Sequence, residues 1–394
     1  MANKGFCFDA AAFARMNACR VLFVTNGHGE VAIAACIASR MPAGIACDHL
    51  ALVGSFQYPS TMREVGPRRA MPSGGLIAMG NISNIIRDLR AGLLTHTLAQ
   101  LRFLAAVRGT YDVVIGVGDI FALIMALRAG ARATMYTGTA KSVYVAPYGP
   151  YERRVLARAQ AVFVRDAPTA QDLRSHGIAA RPANVIVDLH QCRTEAALAM
   201  PLPAQIAMFP GSRENAYGDA VTLARAVREV VAARTGVGAM LSIAPALDVE
   251  RMARVLESDG WEISRCADAG IPFSLRTGGR EAVRAWTGSL GAMIANATIV
   301  LGQAGTANEA AAAAGVPVIA YEKTRPHWYR KRQMALLDGA LRVVSGSTHA
   351  LARAVLELLA DDRQRERMGA VGRERMGPAG GATIIAQEIV RRCG

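Results

Sequence analysis

Asp119 closes the apolar run YDVVIGVGD (111–119), His28 sits in the glycine turn of FVTNGHGE (23–30), and Glu30 follows two residues later. Each is a group that can take a proton from a hydroxyl: imidazole titrates near neutrality, and a carboxylate becomes a useful base where its surroundings raise its pKa. Each also has a plainer reading. Asp119 fits the N-cap of a helix over IFALIMAL, His28 a turn residue bonded to backbone, and Glu30 an acid complementing a helix dipole. Two other loops carry the opposite chemistry. FPGSRE (209–214) offers Gly211, Ser212 and Arg213; GQAGTANEAAAAAG (302–315) offers Gly302, Gly305 and Thr306, with Glu309 about one helical turn on. Glycines let backbone amides approach a ligand, a helix N-terminus favours anions, and guanidinium matches phosphate oxygens. Glu309 is placed to accept from sugar hydroxyls. The plainer reading of each loop is a tight strand-to-helix turn, with Glu309 as a capping acid.

These residues need strand ends to stand on, and the chain supplies them. RVLFVTNG, DHLALVGS, YDVVIGVGD, RATMYTGT and AQAVFVRD read as strands separated by helical patterns, with TAQDLRSHGI a helix closed by Gly177. The alternation restarts near residue 204 with AQIAMFPGSR, YGDAVTLARAVREVVAART, GAMLSIAP, LDVERMARVLESDGW, ATIVLGQAG and VPVIAYE. Such alternation predicts parallel sheets covered by helices on both faces, with ligands at the carboxyl ends of the strands. The expected fold is α/β: two doubly wound, Rossmann-like domains facing a central cleft. Residues 1–19 form an extension, 20–195 the first domain and 196–375 the second. The helical segment at 376–394 is free to pack back on the first.

Composition narrows the class. With 394 residues the chain is too long for one ordinary core, and 52% hydrophobic against 19% charged residues excludes a disordered protein. A formal charge of +14 suits an anionic partner or a solvated basic surface. The seven cysteines are odd in number and scattered without a Cys-x-x-Cys pair. That pattern predicts neither a disulfide framework nor a zinc site, and points to a reducing compartment. No signal peptide or membrane-spanning run is evident, and no cluster has metal-ligand spacing.

The PGSR loop and the segment GTANEAAAAAGVPVIAY resemble the carboxy-terminal half of two-domain, GT-B-fold nucleotide-sugar glycosyltransferases, lipid-A-disaccharide synthase in particular. FVTNGHGE, PSGG (72–75), GVGDI (116–120), GTAKS (138–142) and VRDAPTAQDL (164–173), in that order, are similar to the lipid-A-disaccharide-synthase-related proteins. The likeness covers most of the chain beyond residue 20. The first loop departs: Asn-Gly-His-Gly-Glu stands where true disaccharide synthases carry Ser-Gly-Glu-x-Ser-Gly-Asp. The resemblance implies a sugar moved, with inversion, from a nucleotide-diphosphate sugar, UDP-linked by expectation, to a lipid or lipid-linked acceptor. It places Ser212, Arg213, Gly305 and Thr306 about the diphosphate and Glu309 on the ribose, with Gly211 and Gly302 as the glycines that let backbone approach. Asp119 occupies the place of an important aspartate of the disaccharide synthases and ranks first as base, His28 second. Acceptor contacts fall to Asn26, Gly27, Ser73, Gly74, Lys141 and Ser142. Lys141 reads either as a phosphate holder or as a solvated loop lysine. No cofactor or metal is expected, because arginine and helix ends can hold the leaving diphosphate.

NISNIIRDLRAGLLTHTLAQLRFLAAVRG (81–109) mixes leucines with Arg87, Arg90, Arg102 and Arg108. It reads as a helix on an anionic bilayer or as a crossover helix packed on the sheet. KTRPHWYRKRQ (323–333) is a second basic stretch, and no nucleic-acid fingerprint accompanies it, so nucleic acid is not expected as a partner. The expected location is cytoplasmic, peripheral on the inner face of the membrane. Two other functions compete: a sugar-nucleotide epimerase of the same architecture, for which the sequence offers no convincing carboxylate pair, and a binding protein without turnover.

Overall fold

Uninterrupted runs of Val, Ile, Leu and Ala must be covered on both faces, and in the computed structural model they form the central strands of two parallel sheets. The structure describes residues 19–54, 61–69, 88–190, 198, 202–268, 270–322 and 328–394. Two compact units emerge: unit 1 runs to Leu189 and includes Ala379–Gly394, and unit 2 is His190–Pro378.

Unit 1 holds strands β1 (Arg20–Thr25), β2 (Ala46–Ala51), β3 (Arg63–Glu64), β4 (Val113–Gly118), β5 (Ala133–Gly138), β6 (Ala161–Val164) and β7 (Ala180–Pro182). Their order is β3-β2-β1-β4-β5-β6-β7, and all pairs are parallel. The chain reverses its winding between β1 and β4, so the crevice for a ligand opens above the ends of those two strands. Two helices start there: α1 (His28–Ala38) follows β1, and α3 (Ile120–Arg128) follows β4; between them in sequence lies α2 (Leu93–Ala106). Helices α4 (Pro150–Leu156), α5 (Ala167–Ser175) and α6 (Val185–Leu189) complete the run before the second unit.

In unit 2 the strands are β8 (Ala204–Phe209), β9 (Val237–Ser242), β10 (Glu262–Arg265), β11 (Phe273–Thr277), β12 (Arg280–Trp286), β13 (Ile299–Gly302), β14 (Val318–Glu322) and β15 (Leu341–Ser345). Their order is β10-β11-β12-β9-β8-β13-β14-β15. The core is parallel, and its winding reverses between β8 and β13. Its helices are α7 (Ala216–Ala233), α8 (Val249–Ser258), α9 (Leu290–Asn296), α10 (Thr306–Ala313), α11 (Trp328–Leu337), α12 (Thr348–Ala360) and α13 (Asp362–Met376). The antiparallel β10–β12 edge has no counterpart in the sequence reading. Gly278 and Gly279, both with positive φ, turn β11 into β12, and that Gly-Gly pair between β-prone runs was the available hairpin signal.

The final helix, α14 (Gly381–Cys393), belongs to unit 1. Asp188 accepts from the amides of Gly380 (2.6 Å) and Ala382 (2.7 Å), capping its start. Glu388 pairs with Arg181 at 2.9 Å in mid-helix. At its end a disulfide joins Cys393 to Cys19, just before β1. The cysteine reading is therefore corrected. The partners are 374 residues apart in sequence, so spacing could not reveal a pair that only the return of α14 to unit 1 creates. Cys36, Cys47 and Cys266 are free thiols; Cys7 and Cys192 lie outside the described residues. No described helix is long and apolar enough to cross a membrane.

Of the two readings of the segment at 81–109, the described part shows a helix packed on the sheet. Residues 81–87 lie outside the described residues, and the helix proper is α2. Its polar side chains turn inward: the amide of Gln100 donates to the carbonyl of Ala51 (3.0 Å), and His96 Nε2 lies 3.1 Å from the carbonyl of Leu52. Both carbonyls stand at the end of β2. Leu94 and Leu98 turn outward, 65% and 53% exposed. Leu104 is fully buried on the same face, so the inward side of the helix both supplies donors to strand-end carbonyls and packs on the core.

Candidate functional site

At the switch point of unit 1 the first residues after each strand converge. Asp119 is the N-cap of α3, one oxygen accepting from the amide of Ala122 at 3.1 Å. Its other oxygen accepts from Asn26 Nδ2 at 2.9 Å, tying the loop after β1 to the loop after β4. The plain capping reading of Asp119 thus describes one of its oxygens. Behind it, the buried Tyr136 donates to the carbonyl of Gly118 at 2.8 Å and fixes the strand end.

Glu30 lies in the first turn of α1 and leans into the same place. A Cβ at Gly27 would stand 2.7 Å from its Oε2, and one at Gly118 would stand 2.8 Å from its Cγ. Only glycine at both positions leaves room for this carboxyl, and Gly118 also adopts a φ of 123° that disfavours side chains. Thr139 Oγ1 donates to Glu30 Oε1 at 3.4 Å. Burial pushes the Glu30 carboxyl above its ordinary value of 4.5 and the charge of Asp119 adds to the rise; its own backbone amide and Thr139 offset part of it. Two interacting carboxyls therefore stand at this site, the pair that sequence inspection did not find. His28 is the first residue of α1, and its imidazole lies outside the described atoms, as do Ser73 and Gly74.

Lys141 and Ser142 take structural partners. Lys141 Nζ donates to Glu152 at 2.5 Å and to the carbonyl of Pro147 at 3.3 Å. Ser142 is buried, and its hydroxyl accepts from the amide of Tyr144 at 3.2 Å, closing a turn. The solvated reading of Lys141 gives way to an internal ion pair.

In unit 2 the two glycine loops are neighbours. The carbonyl of Phe209, last residue of β8, accepts from the amides of Gln303 (2.8 Å) and Ala304 (3.2 Å), the residues after β13. Gly211 has a φ of 113°, and among the described residues nothing stands within 4 Å of a Cβ built there, which leaves space for a ligand. Ser212 and Arg213 are exposed beside it. Glu214 forms a bidentate pair with Arg251, whose guanidinium lies 4.1 Å from the centre of the Tyr217 ring, anchoring the loop to α8 and α7. Beside it, α10 begins at Thr306, where first-turn amides have no acceptor within the helix.

Sequence inspection missed the support of this second loop. In α11, Arg330 is buried, not part of a basic surface. It donates to Glu322 at 2.8 Å, to Gln303 at 2.7 Å and to Gln333. Gln333 in turn donates to the carbonyl of Ala304 at 3.1 Å, and Asn308, fully buried, donates to that of Gly302 at 3.1 Å. The network fixes Gln303–Gly305 from beneath. A Cβ at Gly305 would collide with the Tyr329 hydroxyl, and one at Gly302 with the amide of Asn308. Burial raises the Tyr329 phenol and Glu309 raises it further, while Arg330, Arg213 and Arg332 act against them. The Tyr329 hydroxyl thus stands beside Gly305, at the start of α10, within the field of Glu309, Arg213 and Arg332. An aromatic residue inside a basic stretch was the signal available for it. Residues 323–327 of that stretch lie outside the described residues.

Among the described residues no group of three or more His, Cys, Asp or Glu side chains is placed to hold a metal ion. No protein-family model matches the sequence, and no curated protein matches it. Solved structures do. The calicheamicin glycosyltransferase CalG4 superposes with a TM-score of 0.60 at 17% identity, covering 96% of this chain and 98% of that one. MurG of Acinetobacter baumannii gives 0.56 at 14% identity, covering 95% and 99%. The UDP-GlcNAc 2-epimerase of Neisseria meningitidis bound to UDP-GlcNAc gives 0.56 at 14%, covering 94% and 100%. Identities this low establish the architecture, and the chain has the GT-B fold of these nucleotide-sugar enzymes.

Proposed function

We propose that the protein is a glycosyltransferase that takes its sugar from a nucleotide-diphosphate sugar, with unit 2 holding the nucleotide and unit 1 supplying the base. The observation that carries this reading is the pairing of the open Gly211–Arg213 loop with the start of α10 across adjacent strand ends. An anionic diphosphate is suited by first-turn amides and Arg213; Glu309, one turn into α10, is placed for the ribose hydroxyls. Positive charge there stabilises the diphosphate as it leaves. UDP is the expected nucleotide, since the similar epimerase was solved with UDP-GlcNAc. The base comes from the group Glu30, Asp119 and His28. A lipid or lipid-linked acceptor is supported by the outward leucines of α2, with Arg102 exposed on the same helix. The likeness to lipid-A-disaccharide-synthase-related proteins points the same way, and a place on the inner face of the cytoplasmic membrane would follow from such an acceptor.

A second reading, a sugar-nucleotide epimerase, is favoured by the Glu30–Asp119 pair, because elimination and re-addition need two acid–base groups. Incubation with UDP-GlcNAc, with and without a lipid extract, separates the two. Transfer releases UDP only when acceptor is present; epimerisation changes the sugar without it. Stabilisation by UDP with neither product would leave a binding protein. Asp119→Asn is expected to lower turnover and spare UDP binding, and Glu309→Ala to do the reverse.

A further inference from the structure

Two carboxyls meet at the switch point of unit 1, and their surroundings divide the labour between them. Both oxygens of Asp119 already accept hydrogen bonds, from Ala122 N and from Asn26 Nδ2. Glu30 is held more loosely. Among the described residues its donors are its own backbone amide and Thr139, the latter at the long distance of 3.4 Å, and two glycines leave space around it. A group that must gain and lose a proton needs room to move to the acceptor hydroxyl; a group that ties two strand ends together through its two oxygens does not offer this.

We propose that Glu30, not Asp119, is the residue that takes the proton from the acceptor hydroxyl, with Asp119 a fixed hydrogen-bond acceptor that joins the two loops and Asn26 the positioning residue that holds it. This rests on the transferase reading above. In the step, the acceptor O–H bond breaks and its proton passes to the Glu30 carboxylate. The freed oxygen pair forms the new bond to the anomeric carbon. The bond from that carbon to the diphosphate breaks, its electron pair leaving on the diphosphate, and Glu30 then returns the proton to water.

The charged group whose field acts on Glu30 is Asp119, at the start of α3; from the end of β5 it meets the neutral Thr139, and from its own helix a backbone amide. Because its carboxyl is raised in the folded protein, ionising it opposes folding. The folded state binds more protons than the unfolded one between 4.5 and the raised value, so stability falls as pH rises through that window. Glu30→Gln removes that cost.

The experiment uses the full chain in three arms: UDP affinity by calorimetry, UDP release from UDP-GlcNAc with a lipid extract across pH, and thermal unfolding across pH. Glu30→Gln is expected to lose turnover by about 10²-fold or more while UDP affinity stays within about twofold. Asp119→Asn and Asn26→Ala are expected to keep measurable turnover, and Asp119→Asn to move the acid limb of the rate profile to lower pH, since the charge raising Glu30 is gone. Glu30→Gln is also expected to melt higher than wild type at neutral pH, the difference vanishing below about pH 4.5. Wild-type turnover with an unmoved acid limb in Glu30→Gln would overturn the assignment. If UDP fails to bind the wild type, the nucleotide-sugar reading falls, and the unfolding arm decides alone: a Glu30→Gln protein with the wild-type pH dependence of melting sinks the proposal.

Discussion

The switch points of the two units share a strand order and differ in charge. In unit 1 the crevice beyond β1 and β4 gathers two carboxyls, an amide and a hydroxyl around paired glycines. In unit 2 the crevice beyond β8 and β13 presents an open glycine turn, Arg213 and a helix start, backed by a buried arginine–glutamine network. The same reversal of winding makes a place for a ligand in both; the side chains set whether that place moves protons or holds phosphate. Unit 1 is also fastened differently, by a disulfide and an ion-paired helix drawn from the far end of the chain.

Exchanging charge between these regions is the most direct way to break the contrast. The largest effect expected is that of Glu30→Gln, a turnover loss of about 10²-fold or more with unit 2 binding UDP as before. An equal loss of UDP affinity would show that the two crevices are not separate in function. Next is the fastening of unit 1. Cys393→Ala is expected to cost about 2–4 kcal/mol in denaturant unfolding under oxidising conditions, and the difference from wild type should vanish in dithiothreitol. UDP affinity should not change with it. In unit 2, Glu309→Ala and Arg213→Ala should each weaken UDP binding by about 10- to 100-fold in calorimetry, as loss of a hydrogen bond to a charged group does. The pH profile of turnover should keep its shape in both; a shifted acid limb would mean that unit 2 also handles the proton.

The smallest effect concerns Glu388. Burial opposes its ionisation, but Arg391, Arg181 and Arg392 outweigh that and bring its carboxyl down to about 2. A depressed carboxyl stabilises the fold above its unfolded value and loses that contribution as pH falls from about 4.5 towards about 2. Arg181 and Arg391 are largely exposed, so Glu388→Gln should cost only about 1 kcal/mol at neutral pH, fading through that acid window. A loss that persisted below pH 2 would assign the effect to packing of α14.

Much of the site was legible because it follows strands. Asp119, Glu30, Gly211, Arg213 and Glu309 all stand between one and seven residues after a strand end, and an apolar run followed by a glycine marks such an end in one dimension. The partners were not legible. Asn26 meets Asp119 across 93 residues, Thr139 meets Glu30 across 109, and Arg330 meets Gln303 across 27. Arg330 and Gln333 read as surface because charged and amide residues usually are; only the strand-end carbonyls and the loop they serve draw them inside. The inward His96 and Gln100 of α2 escaped for the same reason, since hydrophobic patterning assumes that leucines face the core.

The sequence alone determined where parallel strands alternate with helices, hence two doubly wound units, and which loops carry acid, glycine or arginine. Those are local properties: an apolar run buries itself and a glycine permits a turn whatever lies beyond. The tertiary structure alone decided that Glu30 and Asp119 share one field, that the turns after β8 and β13 lie side by side, and that Cys19 reaches Cys393. Each of these depends on distance between residues far apart in the chain, and electrostatic coupling, hydrogen bonding and disulfide formation act only across a few ångströms of space.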